Sequence, residues 1–227
     1  MTPDELKEIA SQLKNPHGEK GRETGRLMHE TNIAMTYHAI DMLNFRRGDK
    51  ILELGHGICG HLEYLLGRQE GLAYQGLDIS VLMNDEAKKI NKTFIKKNQA
   101  EFSIYDGIHI PFPNNCFDKI FTVNTVYFWS EPASLLNEIY RVVKAGGTVN
   151  ITFADSRFME QLPFIRYGFT LYDIGKMEKL AAKTPFDIVA ANSVIEKVKT
   201  KTGQMMDREF TTVSLQKPVD AKNIDGH

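Results

Sequence analysis

The chain has 227 residues, 42% of them hydrophobic and 25% charged, with a formal net charge of −1. These values are typical of one globular domain with an appendage, and they disfavour a nucleic-acid-binding protein, which would carry a basic stripe. No run approaches the roughly 18 apolar residues of a membrane span, and the charged start lacks the apolar segment of a signal peptide. The two cysteines, Cys59 and Cys116, show no metal or disulfide spacing, so we expect no metal site and a cytoplasmic location.

The first 45 residues predict a helical cap. Thr2, Pro3 and Glu5 form a helix-start signature. The stretch Lys14–Gly25 contains a proline and three glycines and predicts a loop. A second helical pattern follows, with apolar residues on one side.

From residue 48 onwards, strand and helix patterns alternate. Strands are predicted at Lys50–Leu54, Ala73–Asp78, Glu101–Tyr105, Lys119–Val123 and Thr148–Ala154. Helices are predicted at His61–Arg68, Ser80–Lys97 and Pro132–Val143. Such alternation predicts an α/β fold, a doubly wound parallel sheet with helices on both faces.

The last third of the chain has a different pattern. Asp155–Ala182 predicts irregular helical structure rich in aromatic residues. Two strand-like runs, Ile188–Lys201 and Glu209–Gln216, flank residues 202–204 and predict an antiparallel hairpin, an unusual end for a nicotinamide-binding domain. The polar residues 217–227 predict a frayed tail.

A glycine-rich turn follows the first predicted strand. Gly55, Gly57 and Gly60 have the G-x-G-x-x-G spacing of dinucleotide-binding loops, in which a ligand approaches the backbone closely. His56 lies inside this turn, and we expect it to contact the ligand through its backbone. The spacing alone indicates a nucleotide-like ligand without choosing which one.

Three carboxylates stand at three successive strand ends, where open α/β folds bind ligands. Glu53 would repel a pyrophosphate but attract an amino group such as that of S-adenosylmethionine (SAM); the alternative is an ion pair with a lysine or arginine. Asp78 would accept ribose hydroxyls, or instead cap a helix. Asp106 would accept the adenine amino group, or instead serve the turn that it forms with Gly107.

These motifs together resemble the class I SAM-dependent methyltransferases, and more closely the small-molecule branch with the ubiquinone and menaquinone C-methyltransferases. ILELGHGICG is similar to the E-x-G-x-G loop, LDISVLMNDEA to the D-x-S-x-x-M-x-x-A segment, and LLNEIYRVVKAGGTVNIT to the helix and K-x-G-G turn. Ile58 departs from the small or polar residue that many relatives have there. The predicted cofactor-binding set, with His56 added, is Glu53, Gly55, His56, Gly57, Asp78, Ile79, Met83, Asp106, Gly107 and Asn124.

The resemblance also implies a seven-stranded Rossmann-like sheet of order 3-2-1-4-5-7-6 with strand 7 antiparallel. We therefore expect a cap at residues 1–45, a SAM-binding core at 46–216 with a substrate lid near 155–185, and a tail at 217–227. The implied reaction is in-line displacement of the methyl group by a small-molecule acceptor. A general base is needed only where the nucleophile is not already ionised.

The acceptor and the base stay open at this level. The segment from Asn124 lacks the prolines of enzymes that methylate amide and exocyclic nitrogens. Two groups of aromatic residues favour an apolar or aromatic acceptor. Those after the fourth strand could instead pack onto the core, and they are Tyr127, Phe128 and Trp129. Those of the insertion could equally form a homodimer contact, and they are Phe158, Phe164, Tyr167 and Phe169. The candidate bases are His29, His38, His56 and His109, and none is singled out.

Three other functions remain as alternatives. An NAD(P)-dependent oxidoreductase is favoured by the three glycines and opposed by Glu53, Asp106 and the terminal hairpin. A non-catalytic SAM-binding module would differ only in the absence of turnover. An aminopropyl transferase would need an acidic cluster near the fourth strand, and Asn124–Trp129 has none.

Overall fold

The computed structural model describes residues 1–199 and 205–219. Its strands are β1 (Lys50–Leu54), β2 (Ala73–Asp78), β3 (Ala100–Ile104), β4 (Phe117–Val123), β5 (Val143–Ala154), β6 (Asp187–Lys199) and β7 (Met205–Gln216). Its helices are α1 (Pro3–Lys14), α2 (Gly18–Asp41), α3 (Leu62–Leu66), α4 (Val81–Ile90), α5 (Lys92–Lys96), α6 (Pro132–Val142), α7 (Ser156–Met159) and α8 (Ile174–Ala181). A short 3₁₀ turn, Val126–Phe128, follows β4.

The strands form one sheet of order β3-β2-β1-β4-β5-β7-β6, which confirms the predicted fold. The first five strands pair in parallel, and β7 runs antiparallel to both β5 and β6. The strands β1 and β2 have the predicted bounds. Residues 202–204, the predicted turn of the hairpin, lie outside the described residues.

Both faces of the central strands β1, β4 and β5 are buried, as their apolar sequences require. Successive residues of β4, Ile120 and Phe121, belong to opposite hydrophobic clusters. One cluster includes α6 and α8, and the other includes α3 and α4. Each fully buried Leu, Ile or Phe contributes roughly 1.5–3 kcal/mol relative to an exposed one, so the sheet is a rigid base for the loops at its edge.

The predicted N-terminal loop at Lys14–Gly25 is wrong, because α2 begins at Gly18 and runs through the other two glycines. A Cβ atom at Gly21 would lie 2.8 Å from the carbonyl carbon of Pro16. A Cβ atom at Gly25 would lie 2.6 Å from the sulfur of Met83 on α4. These glycines permit close packing of a helix instead of a flexible turn.

The hairpin formed by β6 and β7 holds α2 in place. Arg208 on β7 is buried and donates to the Oδ1 atom of Asn32 at 3.0 Å and to the carbonyl of Thr31 at 2.6 Å. Its charge is paired with Glu196 on β6 at 2.7 Å. The antiparallel end of the sheet therefore helps to position α2 over the carboxyl ends of the parallel strands.

A bilayer-crossing helix would have to be longer and more apolar than any that the structure describes.

Candidate cofactor and acceptor site

A cleft lies at the carboxyl ends of β1, β2 and β4, under α2. The space inside it is about 990 Å³, including the part open to solvent. The residues of the predicted cofactor set that line it are Glu53, Gly55, His56, Gly57, Asp78, Ile79, Met83, Gly107 and Asn124. Asp106 is the member of that set that does not line it.

The glycine turn is shaped by the chain that follows β4. Gly55 has a φ of +76°, and a Cβ atom there would overlap the Cγ2 atom of Thr125. Gly57 also has a positive φ, +56°, but a Cβ atom there would meet nothing within 4 Å. The first glycine is thus required by packing, whereas the second leaves backbone open towards the cleft.

Asp78 ties this turn to the end of β2. Its buried carboxylate accepts the backbone N–H of Gly57 at 2.9 Å and that of Ser80 at 2.8 Å. Burial raises the pKa of the Asp78 carboxyl. The cap of α4 is Ser80, whose hydroxyl accepts the N–H of Met83 at 3.2 Å, so Asp78 remains directed at the wall of the cleft.

Glu53 is buried, and its partner is a histidine where a lysine or arginine was the alternative. Its Oε2 atom accepts from His61 Nε2 at 2.8 Å and from the Tyr74 hydroxyl at 2.5 Å. The thiol of Cys59 contacts the Tyr74 hydroxyl at 3.2 Å. We call these four residues the Glu53 cluster. Glu53, Cys59 and His61 each offer one atom that could ligate a metal ion. These three atoms lie within 4.8 Å of one another.

The exit of β4 forms the opposite wall. Asn124 has a φ of +58°, and its Oδ1 atom accepts from the Tyr127 hydroxyl at 2.9 Å. Tyr127 is therefore a buried structural residue, whereas Phe128 and Trp129 line the cleft. Phe128 packs against Phe169 of the insertion, with ring centroids 4.6 Å apart.

Asp106 lies in a turn outside the cleft. Its carboxylate accepts the backbone N–H groups of Ile108 and His109, each at 2.7 Å, and His109 Nδ1 at 2.8 Å. The hydrogen bond from the His109 side chain lowers the pKa of Asp106 to about 2. This is the turn arrangement considered as the alternative, and the neighbouring Gly107 lines the cleft in its place.

Comparison with known proteins identifies the class. The methyltransferase-domain family model matches residues 52–151, the segment that supplies β1 to most of β5. The chain carries a class I SAM-dependent methyltransferase domain. It is an enzyme of this class and its cofactor is SAM; the ubiquinone and menaquinone branch stays a prediction.

The relatives of this methyltransferase include the uncharacterised methyltransferase YdaC of Bacillus subtilis, 27% identical over 56% of this chain and 68% of that protein. Phosphoethanolamine N-methyltransferase 3 of Arabidopsis thaliana is 26% identical over 82% of this chain but only 37% of its own length. The chain thus spans little more than a third of that enzyme. Phosphoethanolamine N-methyltransferase 2 of Haemonchus contortus, solved with phosphomonomethylethanolamine and S-adenosylhomocysteine, matches the fold with a TM-score of 0.64 at 18% identity, covering 82% of this chain and 53% of that one.

The cleft of the methyltransferase fits SAM on its own chemistry. It offers a carboxylate, Glu53, for the amino group, and a second, Asp78, for hydroxyl groups. His56 Nε2 is buried with no hydrogen-bond partner among the described residues, and Gly57 leaves space where a side chain would stand. Apolar Ile79 and Met83 provide a surface for a flat base.

The candidate bases separate clearly in space. His29 lines the cleft from α2. His38 packs edge-on against Phe210, with centroids 5.4 Å apart, and His109 is exposed and bound to Asp106. The His56 ring packs against Phe102 beneath the turn. Sequence reasoning did not single out His61, which also lines the cleft.

Replacing Gly55 by alanine is expected to lower the free energy of unfolding by about 2–5 kcal/mol. About 1–2 kcal/mol of this loss comes from the left-handed backbone conformation, and about 1–3 kcal/mol comes from overpacking against Thr125. Urea denaturation of the methyltransferase measures it. Gly57→Ala is the matched control, because it has the same backbone strain without the contact. In Gly55→Ala with Thr125→Ser the overpacking loss should be recovered; equal losses in the two single variants would contradict the packing explanation.

Replacing Asp106 by asparagine is expected to change the SAM dissociation constant by no more than about twofold, since a surface substitution alters free energies by about 0.5 kcal/mol or less. Isothermal titration calorimetry provides the measurement. A loss of tenfold or more would show that the carboxylate turns into the cleft and contacts the cofactor, as the sequence predicted.

Proposed function

We propose that this chain transfers the methyl group of SAM to a small, uncharged acceptor with an apolar or aromatic body. The observation that supports this most directly is the composition of the wall between α2 and the exit of β4. The side chains there are Met28, His29, Asn32, Phe128 and Trp129. Aromatic faces beside a few polar groups suit a flat acceptor with one polar atom.

A phosphorylated acceptor fits the cleft less well. A phosphate is usually held by several arginines, lysines or helix N-termini acting together. Among the described residues that line the cleft, Lys14 is the only lysine or arginine. Phosphoethanolamine, the substrate named for several relatives, is therefore the second candidate acceptor.

We assign roles to the cleft residues as part of this proposal. SAM, when bound, supplies the activated methyl group. Asp78 binds the ribose hydroxyls, Glu53 binds the amino group, and Ile79 and Met83 enclose the adenine. The backbone of Gly55–Gly57 lies along the ligand, while Asn124 and Gly107 complete the wall. Tight positioning and exclusion of water are the main contributions of the protein to such a reaction.

His29 is the group that we assign as general base. It lines the cleft, and among the described residues no hydrogen-bond partner engages its ring. Burial, together with the nearby His61, lowers the pKa of His29, so its ring is neutral at pH 7 and able to accept a proton. A base with a pKa near the working pH is suited to an acceptor whose hydroxyl or amine must lose a proton.

The proposal includes the predicted division of the chain. It has a helical cap at residues 1–45, a SAM-binding core at 46–216 and a substrate lid near 155–185. The cytoplasmic location and the homodimer also stay predictions, and light scattering of the purified protein tests the second.

Calorimetric titration with SAM and, separately, with NADH tests the cofactor. Micromolar SAM binding without NADH binding supports the proposal, whereas the reverse result would restore the oxidoreductase. Turnover is then assayed with a phenol, an aromatic thiol and phosphoethanolamine as acceptors. SAM binding without turnover on any of them favours the non-catalytic module, and preference for phosphoethanolamine would overturn the uncharged acceptor.

A further inference from the structure

The Glu53 cluster is almost fully buried beside the glycine turn. Glu53, Cys59, His61 and Tyr74 are each 3% exposed or less. Of the four, Glu53 and His61 reach the wall of the cleft. A buried polar group must find its partners within the protein or in a ligand, because leaving it unpaired is costly.

The hydrogen bonds of this cluster leave one position open. His61 Nε2 and the Tyr74 hydroxyl both donate to the same oxygen of Glu53, Oε2. The Cys59 thiol in turn donates to the Tyr74 oxygen. Within the described residues no donor reaches the other oxygen, Oε1, while Glu53 itself lines the cleft. The carboxylate is therefore held on one side and available to a ligand on the other.

The charges around His61 come from several elements. Glu53 on β1 is its direct partner, Cys59 of the turn and His29 on α2 face it, and Tyr74 on β2 shares its acceptor oxygen. Burial by itself lowers the pKa of His61, but Glu53 and Cys59 raise it well above the ordinary value. The direction of this shift favours an imidazolium beside the Glu53 carboxylate.

We propose that His61 is a positioning residue for Glu53 that exchanges its charge for that of the cofactor. When the cationic amino group binds at the open oxygen of Glu53, the imidazolium loses to solvent the proton that it does not share with Glu53. The neutral ring keeps its Nε2–H bond to the carboxylate. Two cations on one buried carboxylate repel each other, and releasing the proton relieves this. The inference rests on the proposed binding of the amino group by Glu53.

A bridging metal ion is a less suitable explanation of the same cluster. Glu53 Oε2 and His61 Nε2 are already in hydrogen-bond contact at 2.8 Å. A metal would also require the Cys59 thiolate, and burial raises the pKa of that thiol. The hydrogen bonds account for every donor that the four side chains direct at one another.

The experiment counts protons by calorimetry at pH 6.5, in two buffers of different ionisation enthalpy. S-adenosylhomocysteine is the probe, because it has the amino group but not the sulfonium. The control ligand is 5′-methylthioadenosine, which lacks the amino group. We expect about one proton released with the first and none with the second. Affinity for the first should fall by about tenfold per pH unit as the pH drops below the pKa of free His61.

Two variants separate this role from a merely structural one. His61→Gln can still donate to Glu53 but has no proton to lose, so binding should continue without proton release. Tyr74→Phe should weaken binding of S-adenosylhomocysteine and leave proton release intact, whereas Tyr64→Phe, which removes a hydroxyl bound to exposed Asp41, should change neither.

Each adverse result has a distinct meaning. Equal proton release with both ligands, or release that persists in His61→Gln, overturns the charge exchange while the cofactor site stands. One metal ion per chain in the purified protein, measured by mass spectrometry, would also overturn it. Absence of any binding of S-adenosylhomocysteine would overturn the cofactor site and this inference together.

Discussion

Replacing His29 by glutamine is expected to lower kcat by about 100- to 10,000-fold for a phenolic acceptor, the usual contribution of a general base. The imidazole lines the cleft from α2, and burial lowers its pKa. A neutral ring is the form that accepts a proton. The rate should therefore fall as the pH drops through a pKa below the ordinary value of 6.5, and this limb of the pH profile should vanish in the variant.

Two comparisons give this prediction its specificity. An aromatic thiolate is already ionised and needs no base, so its kcat should fall far less in His29→Gln. His109→Gln alters a histidine outside the cleft and should leave kcat unchanged. If kcat fell equally for the phenol and the thiolate, His29 would act by positioning the acceptor and the assignment as base would be wrong.

Replacing Asp78 by alanine is expected to weaken SAM binding by at least about 100-fold. Each hydrogen bond from a ribose hydroxyl to a carboxylate is worth roughly 1.5–3 kcal/mol, and the loss of two amounts to that factor. The variant also leaves the N–H groups of Gly57 and Ser80 without their acceptor. We therefore expect it to lose stability by about 1–3 kcal/mol as well.

Calorimetry and urea denaturation together separate binding from stability. Asp78→Asn keeps the size of the side chain and one acceptor oxygen, so its stability should lie between those of the wild type and the alanine variant. Its SAM affinity should still fall by at least tenfold, since the charge is lost. Unchanged SAM affinity in a folded Asp78→Ala protein would show that Asp78 serves only the glycine turn.

Much of the cofactor side of the cleft follows from local sequence. Parallel strands end at one edge of a sheet, so Glu53, Asp78 and Asn124, each at or just beyond a strand end, converge there. The glycine spacing similarly predicted the turn, in which Gly55 and Gly57 have positive φ angles. Asp106 also stands near a strand end, yet its side chain is taken by the N–H groups of its own turn. An aspartate side chain that can accept N–H groups two and three residues later in its own turn is engaged by them without any ligand.

Other features depend on which strands pair and in what register. Tyr74 reaches Glu53 because β2 pairs with β1 so that Ile51 lies opposite Tyr74 and Glu53 opposite Gly76. No local pattern marks this hydroxyl as a partner of a carboxylate 21 positions earlier. The position of His61, directly after the glycine turn, could have marked it as a candidate site residue. Its hydrogen bond to Glu53 could not be predicted, because it depends on how the turn folds.

The sequence by itself determined the alternation of strands and helices, the glycine turn and the carboxylates at the strand ends, because each depends on neighbours along the chain. Only the tertiary structure decided that Gly21 and Gly25 lie in a packed helix, since the contacts that require them come from Pro16 and Met83. It likewise decided that His29 faces the cleft while His38 does not. Arg208, far along the chain, binds α2 at Thr31 and Asn32, and periodicity within the helix carries no information on that contact.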